Sequence, residues 1–438
     1  MSSDISWMKK GLRKRPPADW FSDPKSTTSD SSKTTGQVLT GQQKSGVDEG
    51  RLKPSEQVKD SEDDILNDGP AYQVRNEVTA VDAWNMHKDC KPSDFVLTTL
   101  PPIYPKGSNV LTIDPDGITE CLIYAPTKAL LMNTPGFPQR IRRPSVPSYE
   151  IREIPGRGNG AIALRDIEAG ELIIAERPLI ISPISISFPH HTSRLPNGVV
   201  SFAPVFKGKE VQNEIHRLFD LLIDRMDNSR KSDFMDLTNS HKESGDDGSS
   251  PVYGRSRTNG FAATINGGSK PIVCSAVGKE ICRVNHSCCP STAYHFEKAS
   301  LSMELRAVRK IPKGEEITIT YIEKDFASTD KRQASLQSYG FTCTCIICIN
   351  PSESDAVCTF IRSQLVPHAA NVTDPLEVAL EHIELLEKWQ MESYQIYQTY
   401  LMRVSDIYHQ RGDMKTARKF MFSPRGSDLR TGRVSGLV

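Results

Sequence analysis

The stretch Arg283-Val284-Asn285-His286-Ser287-Cys288-Cys289-Pro290-Ser291 constrains this chain more than any other. It sets an amide, an imidazole and two thiols side by side. Gly314-Glu315-Glu316-Ile317-Thr318-Ile319-Thr320-Tyr321 follows, and then Cys343-Thr344-Cys345-Ile346-Ile347-Cys348. In this order the three pieces argue for a small-molecule site pinned to a metal site.

Cys-x-Cys-x-x-Cys offers three thiolates, and a structural zinc needs four sulfur or nitrogen ligands. Cys288 is the best fourth because it lies in the other distinctive motif, with Cys289 and His286 as competitors. A closed thiolate site holds a segment in place and does no hydrolysis. Cys90, Cys121, Cys274, Cys282 and Cys358 are scattered and read as ordinary buried residues. Asn285 and His286 donate and accept in a fixed pattern that suits an amino-acid-like or adenine-like ligand. No carboxylate stands in sequence where it could orient His286, and no Ser/His/Asp order is present.

Hydrophobic residues make up 37% of the 438 residues, which is lean and predicts that part of the chain is disordered. Lys plus Arg equals Asp plus Glu, 54 each, so there is no global field for nucleic acid. No apolar run reaches membrane-spanning length and the start lacks a signal-peptide core, so an intracellular protein is expected.

Residues 1–70 are poor in aromatics and read as a disordered tail, with a basic cluster at Lys9-Lys10 and Arg13-Lys14-Arg15. Residues 71–147 are mixed, with short strands at 95–97 and 121–124 and a helical turn over 125–132. They read as an extension of unknown role packed against the next domain. Alternation then predicts strands at 149–154, 161–164 and 171–181, joined as a β-meander around the turn Pro155 to Gly160. Glycines there allow positive φ and close backbone approach to a ligand. Residues 183–252 interrupt this pattern with a helix over 210–226 and a flexible loop over 239–251. Strands are expected at 293–296, 302–308 and 316–321. Past Cys348 the periodicity is helical, with stripes Leu376, Leu380, Ile383, Leu386 and Tyr397, Leu401, Val404, Tyr408. Asp413 is placed to cap a last short helix, and the tail 423–438 looks frayed.

The combination resembles the SET-domain protein lysine methyltransferases, in particular their SET- and MYND-containing branch, from about Ser148 to Ile349. The matching parts are Arg157-Gly158-Asn159-Gly160, Arg257-Thr258-Asn259, Asn285 to Pro290, Gly314 to Ile317 with Tyr321, and Tyr339, Phe341, Cys343, Cys345 and Cys348. The resemblance implies an α+β fold: a SET-domain β-clip of small sheets with a pseudoknot (148–325, insert 183–252), a zinc-bound post-SET segment (326–352) and a helical C-terminal region (353–422). It implies S-adenosylmethionine as methyl donor, held by Arg157, Gly158, Asn159, Gly160, Asn259, Asn285, His286 and Phe341. It implies Tyr321 and Tyr339 as catalytic residues lining a lysine channel, and zinc on Cys288, Cys343, Cys345 and Cys348. The partner implied is a protein substrate, histone or not, in nucleus or cytoplasm. A monomer with no membrane partner is expected, and nucleic-acid binding is not indicated. The chain departs from the family at Cys289, which fills the motif's variable position, in a shorter helical end, and in two further features. Ser291 stands where the motif carries Asn, and residues 183–252 contain no cysteine, so the MYND finger is missing. Two other readings compete: a catalytically weak SET scaffold that binds partners, and a zinc-dependent interaction module without cofactor.

Overall fold

The computed structural model describes residues 72–421, apart from 85–89, 113, 145, 187, 189, 195–199, 205–208, 242–248, 267–270, 323–325 and 365–374. The expected disorder of residues 1–70 and 423–438, the basic cluster and the middle of the loop 239–251 lie outside the described residues.

Residues 74–132 form β1 (Val74–Asn76), α1 (Ala80–Trp84), β2 (Phe95–Leu100), β3 (Thr119–Tyr124) and α2 (Ala125–Met132). β4 (Tyr149–Ile154), β5 (Gly158–Ala163), β6 (Leu172–Glu176) and β7 (Ile180–Pro183) follow. The insert contains the hairpin β8 (His190–Arg194) and β9 (Val200–Pro204), then helices α3 (Lys209–Asp224), α4 (Asn228–Met235) and α5 (Pro251–Asn259). Next come β10 (Phe261–Ile265), β11 (Ile272–Val277), β12 (Thr292–Glu297), β13 (Ser302–Ala307) and β14 (Glu316–Ile317). The chain then becomes helical in α6 (Thr329–Leu336), α7 (Ile346–Ile349), α8 (Pro351–Gln364), α9 (Pro375–Lys388), α10 (Gln395–Gln410) and α11 (Met414–Met421).

The extension does more than pack against its neighbour. β1, β2 and β3 enter a six-stranded sheet of order β1-β2-β3-β7-β11-β10, in which β3 runs parallel to β7 through Glu120↔Ile180 and Cys121↔Ile181. β2 is buried along its whole length, as a strand covered on both faces must be. α3 covers one face, where Leu218, Phe219, Leu222 and Ile223 pack with Phe95, Leu97, Leu122 and Ile180. Glu120, fully buried, accepts Arg225 at 3.0 Å and Arg230 at 3.1 Å, so two guanidinium groups from the insert are tied to β3.

The expected meander does not form. β4 and β5 make a hairpin and β14 joins β5, but the stretch 171–181 divides at Arg177-Pro178. β6 pairs with β13, whereas β7 crosses to the large sheet. Pro178 has no N–H to give a ladder, and the buried Arg177 guanidinium turns to Asp114, 2.7 Å away. The expected strand 316–321 is regular only over Glu316–Ile317; beyond it the chain leaves β5 and bridges His286 through Ile319. Ser287 N donates to Ile319 O and Ile319 N to Asn285 O, both at 2.9 Å. These bonds bind the two motif stretches to each other in parallel.

Asp413 caps α11, accepting Thr416 N at 3.0 Å. The helical end docks through the turn before α10: Tyr394 Oη donates to Cys288 O at 3.2 Å, and its ring meets Phe326 at 5.1 Å. No helix among the described residues is long and apolar enough to cross a membrane.

Candidate active site

A cleft of about 1840 Å³ opens where these elements meet. The β4–β5 turn brings Arg157, Gly158 and Asn159 to its wall, and the bridged stretches bring Asn285, His286 and Tyr321. The stretch after α6 adds Tyr339 and Phe341, and α5 adds Asn259. Gly158 has a φ of +66°, a conformation that side-chain-bearing residues adopt only under strain. Gly160 stands just behind, where a Cβ would lie 2.8 Å from Asn285 Nδ2 and 3.1 Å from Glu316 Oε1.

That crowding marks a residue to which sequence reasoning gave no role. Glu316 accepts Asn285 Nδ2 at 2.9 Å and pairs with Arg157 Nη1 at 2.7 Å. Arg157 Nη2 also donates to His286 O at 3.0 Å. The carboxylate therefore fixes both an amide and a guanidinium on the cleft wall. Asn259, by contrast, uses its amide N–H groups on Thr238 O and Arg255 O, both at 2.8 Å, and closes the end of α5 with them.

Tyr321 packs edge to face on Phe341 and lies 5.1 Å from the ring of Tyr339. Its hydroxyl donates to Val284 O at 2.8 Å. Burial, with the Cys282 thiol beside it, pushes this hydroxyl well above the usual phenol range, so it is a hydrogen-bond donor at neutral pH and not a base. Burial raises Tyr339 in the same direction. Phe261 and Tyr294, rings 4.9 Å apart, line the same cleft.

The sulfurs of Cys288, Cys343, Cys345 and Cys348 all lie within 4.8 Å of one another. Tetrahedral zinc with Zn–S near 2.3 Å needs sulfurs roughly 3.8 Å apart; Cys288 Sγ stands 3.9 Å from Cys343 Sγ and 3.6 Å from Cys348 Sγ. The donor set fits the metal. Hydrogen bonding within the group, from Cys288 first, pulls the Cys343 and Cys345 thiols below their ordinary range, whereas Cys288, bonded first to Cys343, and Cys348 are shifted above it. Of the competitors, Cys289 is buried outside the group, and His286 approaches it at one remove, with Nε2 3.3 Å from Cys288 Sγ. Arg332, almost wholly buried, supplies nearby positive charge: its Nη2 lies 3.8 Å from Cys348 Sγ and donates to Ile347 O at 3.0 Å. Ser291 also has a structural account. Its Oγ accepts Thr318 N at 2.9 Å, and its own N–H donates to Thr318 Oγ1 at 3.1 Å. The shorter side chain closes a local pair with the Tyr321 stretch.

The SET domain family model matches residues 158–322 of this chain. Histone-lysine N-methyltransferase set5 of Schizosaccharomyces pombe is 28% identical over 200 residues, covering 46% of this chain and 50% of that protein. N-lysine methyltransferase SMYD2 of Rattus norvegicus is 30% identical over 176 residues, covering 38% of this chain and 40% of that protein. The chain thus spans half or less of the length of these curated relatives. A solved structure of the Neurospora SET domain protein DIM-5, a histone lysine methyltransferase, aligns at 19% identity over 40% of this chain and 52% of that one. Its TM-score is 0.18, too low to bear on the fold.

Proposed function

We propose that this chain is an S-adenosylmethionine-dependent protein-lysine N-methyltransferase, acting in nucleus or cytoplasm on a histone or another protein. In this reading residues 148–325 are the catalytic domain, 326–352 a zinc-held post-SET segment, and 353–422 a helical support. The observation that carries it is the meeting in one cleft of Tyr321, Tyr339 and Phe341 with the Asn285–Glu316–Arg157 group.

When bound, S-adenosylmethionine supplies an electrophilic methyl group on sulfur. Arg157 offers a cation for its carboxylate, and Asn285 offers an amide already oriented by Glu316. Gly158 allows the backbone to approach closely. The target amine must arrive neutral, and the aromatic wall favours this by excluding the water that stabilises an ammonium. Tyr321 keeps its proton and orients rather than deprotonates. Most of the acceleration then comes from positioning.

Tyr321→Phe is expected to retain donor binding by calorimetry while tritiated-methyl transfer onto a cell extract falls about 10²- to 10³-fold, the scale of losing one oriented donor. Transfer at the wild-type rate would remove Tyr321 from the chemistry. Calorimetry without any donor binding would remove the methyltransferase reading.

A further inference from the structure

The imidazole of His286 is 2% exposed and both of its nitrogens are engaged. Nδ1 accepts the backbone N–H of Tyr321 at 2.9 Å, and Nε2 lies 3.3 Å from Cys288 Sγ. A nitrogen that accepts an N–H carries no proton. In the neutral ring the proton therefore sits on Nε2 and points at sulfur. The bond to sulfur depends on what the sulfur is. A thiol is a weak acceptor, whereas a metal-bound thiolate is a charged one. The same ring lies 5.3 Å from the ring of Tyr321 and 5.9 Å from that of Phe341. It spans the two sites.

We infer that His286 is a positioning residue that couples occupancy of the four-cysteine site to the seat of Tyr321. Cys288 Sγ, held in place by the four-cysteine group, meets Nε2–H at 3.3 Å, which fixes the tautomer and the ring plane. The fixed Nδ1 lone pair then holds the Tyr321 backbone. The inference rests on the zinc and methyltransferase readings above, and it adds a physical link between them. It extends outer-shell orientation of a metal ligand to a group that reaches the reacting end of the cleft.

Two variants of the full chain separate the two halves of the ring. His286→Asn keeps an acceptor near the Nδ1 position and deletes the donor to sulfur. His286→Gln keeps reach toward sulfur and deletes the acceptor for Tyr321. Zinc release to a chelating dye is expected to be about tenfold or more faster in His286→Asn and within about twofold of wild type in His286→Gln. In His286→Gln, kcat is expected to fall by a larger factor than donor affinity measured by calorimetry. Nitrogen-15 histidine NMR of the wild-type chain is expected to place the proton on Nε2 while zinc is bound. A proton on Nδ1, or wild-type zinc release from His286→Asn, overturns the coupling and leaves the metal reading standing. A wild-type chain that takes up no zinc overturns both.

Discussion

Glu176 is a carboxylate that the fold strips of water and then surrounds with backbone N–H groups. It accepts Glu280 N at 2.9 Å and Ile281 N at 2.8 Å, and it fits a notch at Gly278, where a Cβ would lie 2.3 Å from its oxygen. Desolvation outweighs those bonds and raises its pKa from 4.5 to about 7. The native state therefore binds more protons than the unfolded chain between those two values, and stability falls as pH rises through that window. The full difference is roughly 3 kcal/mol. Glu176→Gln has no such titration, so its melting temperature relative to wild type is expected to climb between about pH 5 and about pH 8. A constant offset would show that Glu176 ionises freely. Residues of this kind were not legible in the sequence. Asn285, Tyr321 and the cysteines stood out because polar and thiol groups were dense and ordered. Glu176, Glu316 and Arg332 looked like any surface charge, since only tertiary packing shows what faces them.

At the scale of elements, legibility followed periodicity. Tyr149–Ile154 alternates and is a strand, and Ala125–Met132 is the helix expected there. α5 was missed although its start was written plainly: Ser250 caps Tyr253 N at 3.2 Å and Pro251 opens the first turn. The division of 171–181 between two sheets was beyond alternation, which says which face a residue takes but not which neighbour it pairs with. The element contact that matters most for the insert is also tertiary. Glu120 holds Arg225 and Arg230 together, so Glu120→Ala leaves two guanidinium groups facing a partly dry pocket. A loss of about 3–5 kcal/mol in urea unfolding is expected, as for a broken buried pair. A loss below about 1 kcal/mol would mean that water reaches both arginines.

For the whole molecule, the folding unit is larger than the recognisable domain. The family model begins at residue 158, yet β7 has β3 as one of its two partners, and β3 belongs to residues 119–124. A chain started at residue 148 would expose the β7 edge and the apolar face that α3 shares with β2 and β3. It is expected to elute as aggregate in size-exclusion chromatography, whereas a chain started at residue 72 runs as a discrete species. A monodisperse, helical and strand-rich product from residue 148 would show that the extension is an accessory.

The separation of the four cysteines along the chain also sets an order of events during synthesis. Cys288 leaves the ribosome 55 residues ahead of Cys343, and Cys345 and Cys348 emerge after that. A nascent chain that has already completed the Asn285 and Tyr321 motifs holds a single cysteine of the set, with no tight grip on a metal. Tyr339 and Phe341 emerge only just before the remaining ligands. Completion of the four-sulfur group and closure of the aromatic wall therefore fall at the same late moment, and a chain cut short before Cys343 has neither.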